Sequence, residues 1–377
     1  MKHSFLQVPL EKRDREGSRR FLSQGREGAA DFFSNDYLGL ARNKVLINRV
    51  NERWNNLVDK QLGGTGSRLL SGNYELFEKV ENQLCEVFQA ESVLIFNSGY
   101  SANQSLLTAL GKRGDVVLLD EYAHVCLKEG ARLSQAKSYS FKHNDVEDLR
   151  KKIRNNRTEG NVFVGIESLY SMTGNFSPLT DIIEACEDLN AHLIVDEAHS
   201  TGVYGPMGGG QLIAMDLHHR VFARVYTFGK AMGTHGACVA GSKDLIDYLL
   251  NFANGFIYTT SLPPHTLINI SEAFRYLEEN EQIQEQASAK INQFTHTFKK
   301  TFETVPTSVS CIQPIHIGDN KMAVDCANHL NSNGFNVMAI RSPTVKKGNE
   351  LLRISLHVHN TLEEISSIVM GLKAYFN

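Results

Sequence analysis

Short apolar runs alternate with helical stretches along most of the chain. Val93–Phe96, Val116–Leu119, Val162–Ile166, Leu193–Val195, Val221–Tyr226 and Ala237–Ala240 read as strands, and strands spaced by helices predict an α/β protein built on a mostly parallel sheet. One intervening segment, Tyr74–Phe88, places Leu76, Phe77, Val80, Leu84, Val87 and Phe88 on a single helical stripe, the pattern of a helix packed on a sheet. Thr361-Leu-Glu-Glu364 reads as a capping box opening a last helix through Ile365, Ile368, Val369 and Leu372. Residues 266–301 read as a long helical connection following Pro263-Pro264. The expected organisation is an N-terminal arm over residues 1–44, a large sheet domain over 45–264 and a smaller α+β domain over 265–377.

The 377 residues suffice for two or three lobes with a substantial core. With 39 basic and 42 acidic side chains the net charge is −3, which gives no electrostatic reason to expect nucleic acid. No apolar run approaches the ~18 residues of a membrane span, and Met1–Arg20 is too polar for a signal peptide. A cytoplasmic protein without a membrane partner is expected. The six cysteines include no Cys-x-x-Cys pair, so neither a zinc site nor a disulfide framework is indicated, and no metal is expected.

Two strand ends carry the chemistry. Leu193-Ile-Val195 runs into Asp196-Glu-Ala-His199, and Val221–Tyr226 runs into Thr227-Phe-Gly-Lys230. A lysine after a strand is ordinarily a solvated end, and only its company makes it informative. An amine at one strand end with a carboxylate at another is what pyridoxal 5'-phosphate (PLP) requires: the amine for its aldehyde, the anion to hold its ring nitrogen protonated. A helicase-type reading of Asp196–His199 needs a phosphate loop, and the nearest candidate, Arg224–Ala231, has arginine for its first glycine and alanine for its hydroxyl. Asn97-Ser-Gly-Tyr100 sits between a strand and the helical Ala102–Leu110, where Gly99 and Tyr100 would offer amides to a phosphate. His124 follows Val116–Asp120 at a strand's C-terminal edge, where open sheets gather ligands.

In these and further segments the chain resembles the α-oxoamine synthases, PLP enzymes of fold type I that condense an amino acid with an acyl thioester and release carbon dioxide. The resemblance spans Phe33–Leu40, Gly63–Ser67 with Ser71-Gly72, Asn97–Asn103, Asp120–Gly130, Phe141–Asp145, Glu167–Gly174, Asp196–Gly205, Thr227–Gly236 and Tyr258–Pro264. It implies that Lys230 is the Schiff-base lysine and also removes the α-proton, and that Asp196 pairs with the ring nitrogen. It implies that His199 and Ser171 bond the phenolic oxygen, and that Thr227, Gly99 and Tyr100 hold the phosphate. Thr259 or Thr260 would reach in from the partner subunit of a homodimer. His124 would stack on the ring and protonate the acyl intermediate, Asn35 and Arg353 would hold the amino-acid carboxylate, and Arg19 would contact the acyl substrate. The chain departs from the family's wording at Leu351-Leu-Arg353, where only the second of two arginines is kept, at His357-Val-His-Asn360 in place of Thr-Ala-x-His, and at Glu197 in place of a commoner aspartate.

Overall fold

A computed structural model describes residues 4–22 and 24–377. Its strands are β1 (Ala30–Asp31), β2 (Ser92–Phe96), β3 (Val116–Asp120), β4 (Lys137–Phe141), β5 (Val162–Glu167), β6 (His192–Asp196), β7 (Ala223–Thr227), β8 (Ala237–Gly241), β9 (Ile312–His316), β10 (Phe335–Asn336), β11 (Met338–Ile340) and β12 (Leu351–Ser355). Seven of them form one sheet in the order β2-β8-β7-β6-β5-β3-β4. Pairing is parallel from β7 to β4, and β8 runs antiparallel to both β7 and β2. Two reversals leave β2 in the same sense as β7, so the C-terminal ends of β2, β7, β6, β5 and β3 lie along one edge.

The sheet is apolar through its thickness because helices cover both faces. Along β3, Val117 and Leu119 pack with Leu106 and Leu127, while Val116 and Leu118 pack with Ile153 and Ile183 on the opposite side. Each such side chain removed from water contributes roughly 1.5–3 kcal/mol. Strand β4 escaped the sequence reading because its residues Lys-Ser-Tyr-Ser are exposed and only Phe141 is buried. At β7 the strand begins at Ala223, not Val221, since His218–Arg220 forms a 3-10 turn before it. The long helical connection is two helices, Pro264–Glu279 and Gln282–Phe302, separated at Asn280 and Glu281.

Contacts divide the chain into two compact units. One holds residues 38–171 and 176–284, including the seven-stranded sheet; the other holds residues 1–37, 172–175 and 285–377. The division differs from the expected boundary near Pro264, because helix Pro264–Glu279 packs on helices Lys44–Asn55 and Glu75–Val87 of the sheet unit. The second unit carries the antiparallel sheet β11-β12-β9 and the parallel pair β1-β10, which fastens the N-terminal segment to the C-terminal portion. Among the described residues no helix is long and apolar enough to cross a membrane. The six cysteines are free thiols, five buried and Cys85 partly so.

Candidate active site

The sheet edge gathers those of the residues singled out above that lie in the sheet unit. After β2 the chain turns at Ser98, whose hydroxyl caps helix Gly99–Leu110 by accepting the Ser101 N–H. Gly99 and Tyr100 thus occupy the first helical positions, whose amides an α-helix leaves without internal acceptors. A Cβ on Gly99 would lie 2.3 Å from Thr227 Cγ2, so only glycine lets this helix start approach the end of β7. Thr227 is buried and donates its hydroxyl to the Ala198 carbonyl at 3.3 Å. Asn97 donates to Thr259 Oγ1 at 3.2 Å and to the Thr260 carbonyl at 2.7 Å, which brings that segment of the same chain beside the helix start.

Asp196, at the end of β6, is buried. Its Oδ2 accepts from Asn103 Nδ2 at 2.7 Å and its Oδ1 from the Ala198 N–H at 2.9 Å. His199 is buried one turn further on. Lys230, half-buried, sits in a loop closed by the Phe228 N–H to Gly236, the Thr234 N–H to Phe228 and the Gly233 N–H to Lys230, each 2.9 Å. Gly233 has φ +64°, and a Cβ there would meet the Ala41 nitrogen at 2.2 Å. Glu197 is longer than the aspartate it replaces, and its buried carboxylate reaches Ser168, Ser200 and the N–H groups of Gln211 and Leu212. That departure secures the loop behind the site and leaves Asp196 untouched.

His124 caps helix Val125–Leu133, its Nδ1 accepting from the Cys126 N–H at 3.3 Å and lying 2.9 Å from Cys126 Sγ. Desolvation holds its pKa below the usual histidine value; Asp196 opposes this, and the charges of Lys230 and Lys128 add to it. The loop leading to His124 is fixed by fully buried Asp120, which accepts from the N–H groups of Tyr122 and Asn144 and faces His143 Nδ1 at 3.0 Å.

Glu167 ends β5 as the register partner of Asp196. It is buried, and its Oε2 accepts the Ser171 N–H at 3.2 Å. Among the described residues its Oε1 has no hydrogen-bond partner. Burial, and then the Asp196 charge, raise its pKa to about 8. A raised carboxyl pKa means that the folded state holds an extra proton between the ordinary value of 4.5 and about 8. The associated stability is therefore complete below the lower value and is lost as pH rises through the upper one. Thermal unfolding of the cofactor-free protein should show stability falling by of the order of a few kcal/mol from pH 5 to pH 8. Glu167→Gln should flatten that slope, and an equal slope in both proteins would contradict the assignment.

In the other unit, Arg353 on β12 donates to Asn35 Oδ1 at 2.6 Å and to the Tyr37 hydroxyl at 2.8 Å. Burial pushes the Tyr37 pKa up to about 12 against the pull of Arg353, so the phenol is neutral and accepts from the guanidinium. The departure at His357-Val-His-Asn360 is a self-contained exchange. Buried His357 sets Nδ1 at 2.9 Å from the Asp31 carbonyl and Nε2 at 3.1 Å from Ser34, and Asn360 accepts the His357 N–H at 2.8 Å and donates to Asp31. The pair pins the segment that carries Asn35 and Tyr37. Arg19 is partly exposed, pairs with Asp14 at 2.5 Å, and has its carbonyl bonded by Arg341.

Asn103, Glu167, Cys126 and Tyr37 were not singled out as site residues from sequence. None of the four carries a signal in sequence; in the structure Asn103 is a fully buried amide whose Oδ1 has no partner among the described residues, which marks a position kept for a polar neighbour. The donor set suits PLP: paired helix-start amides for a phosphate, a half-buried amine for an aldehyde and a buried carboxylate for a ring nitrogen, all on one sheet edge.

Comparison with known proteins agrees. Residues 29–369 match the family described as aminotransferase class I and II. The 8-amino-7-oxononanoate synthase of Emericella nidulans is 35% identical over 97% of this chain and 93% of its own length, and that of Klebsiella pneumoniae 34% over 95% and 92%. Among solved structures, the 8-amino-7-oxononanoate synthase of Francisella tularensis superposes with a TM-score of 0.78 at 26% identity, covering 93% of this chain and 99% of that one. The serine palmitoyltransferase of Sphingomonas wittichii shares the fold with a TM-score of 0.87 at 24% identity, covering 99% and 97%. A further match with a TM-score of 0.88 is a serine palmitoyltransferase-type structure carrying PLP.

Proposed function

Since the chain belongs to the aminotransferase class I and II family, as a PLP-dependent acyltransferase of the α-oxoamine synthase group, we propose that it condenses L-alanine with a pimeloyl thioester. The thioester is that of coenzyme A or a carrier protein, and the products are 8-amino-7-oxononanoate, carbon dioxide and free thiol, a step of biotin synthesis in the cytoplasm. The observation that carries this reading is the placement of Lys230 and Asp196 at the ends of adjacent parallel strands beside the helix start at Gly99. The name shared by relatives of nearly equal length supports the substrates.

Bound PLP supplies an electron-poor ring able to take up the electron pair left on the amino acid's α-carbon. The chain's residues do the rest. Lys230 would hold the aldehyde, and its amine would take the α-proton. Asp196, oriented by Asn103 and the Ala198 N–H, keeps the ring nitrogen protonated. Gly99, Tyr100 and Thr227 bind the phosphate, with Thr259 or Thr260 of a second subunit, while His199 and Ser171 bond the phenolic oxygen. His124 stacks on the ring and gives a hydrogen bond to the acyl oxygen, and Arg353 with Asn35 binds the alanine carboxylate through charge-assisted bonds. Arg19 contacts the acyl substrate. General acid–base help of this kind contributes roughly 10²–10⁴-fold. Condensation rates with alanine, glycine and serine, each against pimeloyl, acetyl, succinyl and palmitoyl thioesters, test the reading. Alanine with pimeloyl thioester should be fastest; a preference for glycine with acetyl or for serine with palmitoyl would move the chain to a sister reaction.

A homodimer fits the same reading. Leu62, Leu69, Leu70 and Tyr258 are exposed on segments joined by the Ser261 N–H to Gly66 bond of 2.9 Å, and such an apolar patch beside the Thr259 segment suits a two-fold interface. Sedimentation equilibrium should return a dimer, and an active monomer would refute it.

A further inference from the structure

We propose that Cys126 is a positioning residue that, with the first turn of helix Val125–Leu133, holds His124 as the neutral tautomer protonated on Nε2, so that His124 acts as a hydrogen-bond donor and not as a base. The inference rests on the role for His124 proposed above and adds to it which nitrogen carries the proton and what keeps it there.

The geometry around Nδ1 is one-sided. The Cys126 N–H points at it from 3.3 Å and Cys126 Sγ lies 2.9 Å away. A backbone N–H can only donate. The thiol is buried, and burial together with the charges of Asp196 and Glu167 drives its pKa up, so the sulfur retains its proton and is a donor as well. With two donors facing it, Nδ1 must offer its lone pair, and the ring proton belongs on Nε2. A proton added at Nδ1 would oppose the Cys126 N–H, leave the thiol only the role of a weak acceptor, and place a cation at the positive end of a nine-residue helix.

The charged groups around the ring come from four elements. Asp196 at the end of β6 favours a cation; Lys230 after β7 and Lys128 on the histidine's own helix oppose one. Glu167 at the end of β5 lies beside Asp196 as its register partner. The net effect is a neutral imidazole whose free N–H is on Nε2, an arrangement that polarises a carbonyl oxygen without first having to lose a proton.

Nitrogen-15 NMR of the histidine-labelled holoenzyme, with His124 assigned by the loss of its signals in His124→Gln, reads the tautomer without any substrate. An unprotonated Nδ1 and a protonated Nε2 near pH 7.5 are expected; the reverse pattern would overturn the proposal whatever the substrates prove to be. Cys126→Ala removes the thiol donor, and Cys126→Ser supplies a hydroxyl donor in its place. With the best substrate pair, the acid limb of kcat/KM in Cys126→Ala should move up by roughly half to one pH unit and kcat should drop severalfold at unchanged KM for the amino acid. Cys126→Ser should restore both. If the alanine and serine variants behave alike, or if both match the parent enzyme, Cys126 does not position His124. Failure of every substrate pair would refute the proposed condensation while leaving the tautomer measurement decisive.

Discussion

Lys230→Ala protein is expected to fold normally, to release PLP on dialysis, and to lose turnover by about 10³-fold or more. Folding should survive because the loop from Phe228 to Gly236 is closed by backbone hydrogen bonds and by the close approach of Gly233 to Ala41, none of which uses the lysine side chain. Turnover should not, because in the proposed reaction the amine both holds the aldehyde and serves as the base for the α-proton, and loss of a positioned base alone costs roughly 10²–10⁴-fold. Borohydride treatment of the native holoenzyme, followed by peptide mapping, should find the cofactor fixed to Lys230. The informative control is Lys128, the other amine whose charge reaches His124; its ammonium donates to the Glu121 carbonyl at 2.8 Å on the exposed side of the helix. Fixation on Lys128 in the native protein, or undiminished fixation in Lys230→Ala, would remove the central residue of the site.

Much of this arrangement was legible because the sheet writes itself in hydrophobicity. Strands buried on both faces leave unbroken apolar runs, so Val116–Leu119 and Leu193–Val195 announce themselves, and the polar residues that end them, Asp120 and Asp196, mark the ligand edge. Strand β4 is at the sheet's margin with exposed Lys137–Ser140, and a strand that buries one residue has no such signature. Residues acting through a neighbour were equally silent. Asn103 orients Asp196, Glu167 accepts the Ser171 N–H, and Cys126 meets His124. In sequence each is an ordinary amide, acid or thiol, because its meaning depends on which strands lie side by side. The substitutions at Glu197 and His357 show the converse. They alter the wording of a motif while their side chains bond to backbone and hydroxyl groups that hold functional segments in place.

Asp196→Asn should separate the two demands on that residue. The carboxylate is buried against Glu167 and among the described residues accepts two hydrogen bonds, from Asn103 and the Ala198 N–H, so in the cofactor-free protein its charge is costly. Asparagine keeps the shape and removes the charge. Its new N–H group would face Asn103 Nδ2, yet Asn103 can rotate its amide to present the Oδ1 that has no partner in the native arrangement. The cofactor-free variant should therefore melt at or slightly above the temperature of the parent. Catalysis should move the other way. If Asp196 holds the ring nitrogen protonated as proposed, its replacement removes one preorganised electrostatic partner, which costs about 10²–10³-fold in kcat. Paired melting curves and turnover measurements of Asp196→Asn, with Asn103→Ala as the companion that spoils the orientation but leaves the charge, decide the point. A stable variant with kcat within threefold of the parent would show that the ring nitrogen does not depend on Asp196. A variant that fails to fold would show that the buried charge is needed by the sheet edge itself.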